Sequence, residues 1–221
     1  MAYMLLLVNC WHRDYLSLLV REDLRDLSGI RELDRVSHLV ELLPERIGSP
    51  LSLRSLAEDI ESSHSTVQAW LSALQSLYLA WPIPPVSGKI NRAMKKEKKW
   101  YFLDWIYAGR EGSRFENMVG TELLRFVTSL YDAGWPKVGL YYVRTYDKKE
   151  IDFVLTLKNR PILAVECKAK SRGFSSILHR FRQEWNGDVF PIVQVTGEEG
   201  VLLKKDGRAF VAGFDRFFMA L

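Results

Sequence analysis

KEIDFVLTLKNRPILAVECK, residues 149–168, decides how the second half of this chain is read. Two apolar runs, Glu150 to Leu157 and Ile162 to Cys167, are interrupted by charge and separated by the turn-forming KNRP, which is the pattern of two strands joined tightly. Residues two apart on a strand share a face, so Glu166 and Lys168 point together while Val165 and Cys167 pack on the other side. With Asp152 turned the same way, two carboxylates and an ammonium converge. Carboxylates are hard ligands suited to Mg or Mn, and an ion held by Asp152 and Glu166 polarises a phosphate and acidifies water. Lys168 then orients or deprotonates that water, or stabilises a pentacovalent phosphate.

The flanking elements frame this pair. Upstream, a helix from about Phe115 to Tyr131 places Glu116 at its start as a further metal-linked carboxylate, and a strand from Leu140 to Tyr146 carries Arg144 toward a phosphate. Downstream, a helix from Ser175 to Trp185 bears Arg180, Arg182 and Gln183, and Phe190 to Thr196 forms another strand. The order α, β, β, β, α, β predicts a mixed α/β domain built on one sheet. Glu150, directly after two lysines, reads as an exposed strand entry and ranks below Asp152. Cys167 reads as buried and without a nucleophilic role, its carbonyl open to a metal.

The first half is helical. Tyr15, Leu16, Leu19, Val20, Leu24 and Leu27 recur at helical spacing, and a second helix is expected from Arg31 to Ile47, ending early or kinking at Pro44. SLRSLAEDIESSHSTVQAWLSALQSL, residues 52–77, reads as two short helices around a polar turn, a helix-turn-helix that leaves Ser65, Thr66, Gln68 and Ser72 toward solvent. Tyr78 to Ile83 and Trp100 to Leu103 then make the strands of a wing. Between and beside them Lys89, Arg92, Lys95, Lys96, Lys98 and Lys99 form a basic patch suited to DNA phosphates. Trp70, Trp81 and Trp100 read as packing. His64 and His179 have no partner at ligand spacing.

At 221 residues and 48% hydrophobic, the chain can bury more than one core, and its formal net charge of +4 permits a polyanionic partner without requiring one. Two cysteines far apart, Cys10 and Cys167, argue against a disulfide framework and a zinc cluster, which fits a reducing cytoplasm. The opening apolar run Met1 to Val8 is too short to span a bilayer, and no GxxxxGK[ST] phosphate loop occurs, so no ATP site of that kind is expected. Three segments follow: 1–48 helical, 49–108 winged helix-turn-helix, and 109–221 α/β.

The Asp152 and Glu166-x-Lys168 arrangement, with its element order, resembles the PD-(D/E)XK nuclease superfamily. More closely, Phe115-Glu116-Asn117, Tyr142 to Arg144, Glu150 to Phe153 and Val165 to Lys168 look like the domain of unknown function that follows the AAA-type ATPase module in predicted prokaryotic ATPases. Arg21 to Arg31, the winged helix, the PIPP turn at 82–85 and WYFLD at 100–104 extend that resemblance from about Tyr15 onward. The family's ATPase module is missing here, which implies a fragment or a stand-alone relative and leaves an ATPase as a partner.

The expected function is a DNA-binding, Mg- or Mn-dependent nuclease-like protein: Asp152, Glu166 and Lys168 catalytic, and Glu116, Asp152 and Glu166 on the metal. Lys89, Arg92, Lys95, Lys96, Lys98, Lys99, Arg144 and Arg180 would contact nucleic acid. The alternative is a non-catalytic nucleic-acid or protein-interaction module associated with an AAA-type ATPase. Each residue also has a structural reading. Glu166 with Lys168 is a strand-face ion pair, Glu116 answers the positive end of a helix, Arg144 balances carboxylates, and the wing lysines are solvated.

Overall fold

The computed structural model describes residues 15, 16, 18–24, 32–86, 97–144, 149–170, 173–184 and 190–221. They divide into two compact units, Met1–Pro44 with Ser52–Trp81, and Glu45–Leu51 with Pro82–Leu221.

The smaller unit is helical. A π-helical segment, Leu19–Asp23, precedes α1 (Leu33–Leu42), which tightens into a 3-10 turn at Leu43–Glu45 because the Pro44 ring cannot continue a helix. Helices α2 (Leu53–Asp59) and α3 (His64–Ser76) begin at Ser52 and Ser63, whose hydroxyls accept from the backbone N–H groups of Ser55 and Thr66. Leu56, Ala57 and Ile60 from α2, and Val67, Trp70, Leu71 and Leu74 from α3, are buried. Ser65, Gln68 and Ser72 are exposed and Thr66 is half-buried, close to the expected helix-turn-helix face.

In the larger unit, β1 (Ala80–Ile83), whose last two residues belong here, pairs with β2 (Lys99–Phe102). The segment 48–51 lies along the other side of β2, through Gly48 N–H to Trp100 O and Leu51 N–H to Lys98 O. Helix α4 (Glu111–Asp132) starts four residues before the expected Phe115. A six-stranded mixed sheet follows, in the order β3 (Val138–Arg144), β4 (Glu150–Leu157), β5 (Arg160–Lys168), β6 (Ile192–Thr196), β8 (Ala209–Gly213), β7 (Leu202–Asp206). The first three strands are an antiparallel meander; β5, β6 and β8 run parallel, and β7 returns antiparallel to β8.

A parallel neighbour needs a crossover, and α5 (Ser176–Glu184) supplies it between β5 and β6. Its Ile177, Leu178 and Phe181 pack on Ile151, Val154, Ala164, Ile192 and Ala209, a contiguous apolar core. The last hairpin and α6 (Phe214–Phe218) complete the sheet beyond the elements read from sequence. Their signal was weak because β7, LLKKD, has two lysines and two exposed leucines in five residues. The expected mixed α/β class is the class observed. No helix among the described residues is long and apolar enough to cross a membrane.

Two irregularities in the ladders of β4 lie next to the site. Lys158 and Asn159 both take positive φ, 52° and 64°, making a two-residue turn of the twist that hairpins prefer. From it the ladder runs Leu157 to Arg160 and Thr156 to Pro161, then slips one residue, so that Leu155 faces Leu163 and Phe153 faces Val165. Pro161 has no N–H to give the ladder, which makes this the place where a bulge costs least. The β3–β4 ladder slips as well, between Tyr141 and Val143 opposite Ile151 to Val154, so simple alternation does not carry through Asp152 and its own contacts set where its carboxylate lies.

A candidate carboxylate site on the sheet

Asp152, Glu166, Glu116 and Lys168 come together in the larger unit. Asp152 Oδ2 accepts from the backbone N–H of Cys167 at 2.8 Å, so the side chain continues the ladder where strand pairing stops. Lys168 Nζ lies 2.6 Å from Glu166 Oε1 and is half exposed, while the Glu166 side chain is 7% exposed. The other oxygen of Glu166, Oε2, is buried without a hydrogen-bond partner. Glu116 is the sixth residue of α4, outside the first turn, so the helix dipole does not account for it. Its Oε1 accepts from Tyr101 Oη at 2.7 Å.

Lys99 departs most from the sequence expectation. Read as part of a DNA-contacting loop, it is 1% exposed, with Nζ 3.1 Å from Glu150, 3.4 Å from Glu116 and 3.4 Å from Asp152. The Tyr142 ring stands 5.5 Å from the same ammonium. Lys99 and Tyr101 are two apart on β2, so both reach the carboxylates from one strand face. Glu150, expected at an exposed strand entry, belongs to the cluster and also meets Arg144 Nε at 3.4 Å. Arg144 therefore balances a carboxylate, with Glu97 3.9 Å away on its other side. The strand alternation that joins Glu150 to Asp152, and Lys99 to Tyr101, was the available signal for the residues that sequence reasoning missed.

Asn117, beside Glu116, fixes the start of α4 to the end of β2. Its amide accepts from Phe102 N–H at 2.9 Å and donates to Phe102 O at 2.7 Å, fully buried. Gly48 passes close to the neighbouring Glu116 with φ of +78°, where a Cβ would stand 3.1 Å from either carboxylate oxygen. Replacing Asn117 by leucine strands buried backbone groups, and urea unfolding is expected to show a loss of about 2–3 kcal/mol. A change below about 0.5 kcal/mol would remove this anchoring role.

The charges are unevenly met. Burial, then the Asp152 charge, raises the Glu116 carboxyl to about 7 against the pull of Lys99. Burial and Asp152 likewise raise Glu166 to about 8, although Lys168 opposes the shift. For Lys99, burial disfavours the charge, but Glu116, Asp152 and Glu150 outweigh it and hold the ammonium above the usual lysine range. Cys167 is pushed up by burial and by Asp152, which leaves no thiolate for nucleophilic work.

These shifts fix the sign of a pH effect. A carboxyl whose pKa is raised by folding binds more protons folded than unfolded, so stability falls as pH rises from the unfolded value of roughly 4.3 through the folded one. Without added metal, the melting temperature is expected to fall between pH 5 and pH 8 and to level above. Glu166→Gln should flatten most of that slope. Equal slopes in the variant and the parent would contradict the assignment.

The remaining predicted residues are dispersed. Lys98 is exposed just before β2, and Arg180 is exposed on α5. Lys89, Arg92, Lys95 and Lys96 lie outside the described residues. Trp70 and Trp100 are core, as expected. Among the described residues, no group of three or more His, Cys, Asp or Glu side chains is arranged to hold one metal ion. The donors that do suit a hard cation are Asp152 and the unpartnered oxygen of Glu166.

Residues 6–105 match a family described as Domain of unknown function (DUF8612), and residues 111–211 match Domain of unknown function (DUF4143). No curated protein matches the chain. Among solved structures, protein VC1899 from Vibrio cholerae is 15% identical with a TM-score of 0.32, over 84% of this chain and 48% of that one. The chain thus spans about half the length of that protein. It is similar, in tandem, to two domains of unknown function, the second of which is a domain that follows AAA ATPase modules.

Proposed function

We propose that the larger unit is a divalent-metal-dependent, nuclease-like domain acting on DNA phosphodiesters, and that the helix-turn-helix of the smaller unit binds DNA. The observation that carries this reading is Glu166 Oε2, buried and unpartnered, on a carboxylate near enough to Asp152 and Glu116 to feel their charges. A buried carboxylate oxygen with no donor is costly, and a hard cation satisfies it. Mg or Mn bound there supplies Lewis-acid polarisation of a phosphate oxygen. Asp152 and Glu166 hold the ion, with Glu116 as the neighbouring carboxylate. Lys168, anchored by Glu166 Oε1 and half exposed, presents its charge where a phosphodiester enters.

Exposed Ser65, Gln68 and Ser72 on α3 offer hydrogen bonds to a duplex, and Lys98 offers charge. The test is cleavage of duplex, single-stranded and branched DNA with Mg or Mn by the parent protein beside Asp152→Ala and Lys168→Ala. A second reading, a non-catalytic nucleic-acid or protein-interaction module serving an AAA-type ATPase, is favoured by Lys99, which already neutralises much of the cluster. Absence of cleavage on every substrate would select it.

A further inference from the structure

We infer that Lys99 is a built-in cation of the carboxylate cluster, occupying the place a second divalent ion would take, so that the site binds one metal ion rather than two. The inference rests on the proposed metal site. Four carboxylates, Glu116, Glu150, Asp152 and Glu166, are drawn together here by Lys99 and Lys168, two more than the proposed ion takes.

Their oxygens are not equally available. Lys99 Nζ is within 3.4 Å of Glu116 Oε1 and of Asp152 Oδ1, and 3.1 Å from Glu150 Oε2. Tyr101 Oη adds a second donor to Glu116 Oε1, and Arg144 takes the other oxygen of Glu150. At 1% exposure the ammonium has almost no contact with water, and three carboxylates hold it where it is. A divalent ion among Glu116, Glu150 and Asp152 would meet a positive charge at contact distance. Glu166 Oε2 has no hydrogen-bond partner and Asp152 Oδ2, which accepts from Cys167 N–H, is outside the Lys99 ion pair, while the half-exposed Lys168 is the ion-pair partner of Glu166 among the described residues. One ion fits there.

The test is the stoichiometry of Mn binding to the full chain, read by calorimetry and by the electron spin resonance of unbound Mn. One equivalent is expected for the parent protein and two for Lys99→Met, whose side chain keeps the length and loses the charge. Because Lys99→Met leaves buried carboxylates unpaired, Lys99→Met with Glu150→Gln is measured beside it. It keeps Glu116 and Asp152 for the added ion and should also bind two. Two equivalents in the parent protein, or one in a folded variant, would overturn the role of Lys99 while leaving the metal site standing. No binding by the parent protein would sink the metal site itself, and this inference with it.

Discussion

Lys99→Met is expected to cost the fold about 3–5 kcal/mol at pH 8, the range seen when one partner of a buried ion pair is removed. Methionine fills nearly the same volume, so packing changes little. The cost comes from Glu116, Glu150 and Asp152, which lose their shared ammonium and, at 13–23% exposure, recover only part of the water they would need. The loss should shrink toward pH 5, because carboxyls already raised by burial then take up protons and shed the unpaired charge. Urea unfolding at the two pH values measures both quantities. A loss under about 1 kcal/mol at pH 8 would mean that the ammonium is no more than a surface-grade partner.

If the proposed site is catalytic, Asp152→Ala or Glu166→Ala should lower Mn-dependent DNA cleavage by on the order of 10³-fold. Lewis-acid stabilisation of a phosphoryl transition state is worth several kcal/mol, and each factor of ten corresponds to about 1.4 kcal/mol. Lys168→Ala removes a single positioned charge and is expected to cost about 10²- to 10³-fold. Lys98→Ala, at an exposed position outside the cluster, should leave turnover unchanged and weaken binding in a salt-dependent way. Rates of Asp152→Ala and Lys168→Ala equal to the parent rate would place any observed cleavage elsewhere.

The amphipathic helices at 33–42, 53–59 and 64–76 were legible because a 3.6-residue apolar period survives in sequence whatever the helices pack against. The β4–β5 pair was legible for a related reason: alternation placed Glu166 and Lys168 on one face before any partner strand was known. Residues 202–218 were not, because two short strands and a five-residue helix hold too few periods to stand out.

The sequence by itself determined the element types from α1 to β6, the turn at Lys158-Asn159 and the presence of Asp152, Glu166 and Lys168 on neighbouring strands. Tertiary structure alone decided which groups Asp152 meets, because both ladders of β4 slip and alternation can no longer be counted through that residue. It also decided the fate of Lys99. In sequence Lys99 ends a basic run and resembles its solvated neighbours, but pairing of β2 with 48–51 turns it inward, where carboxylates from α4 and β4 supply the free energy that water would otherwise provide.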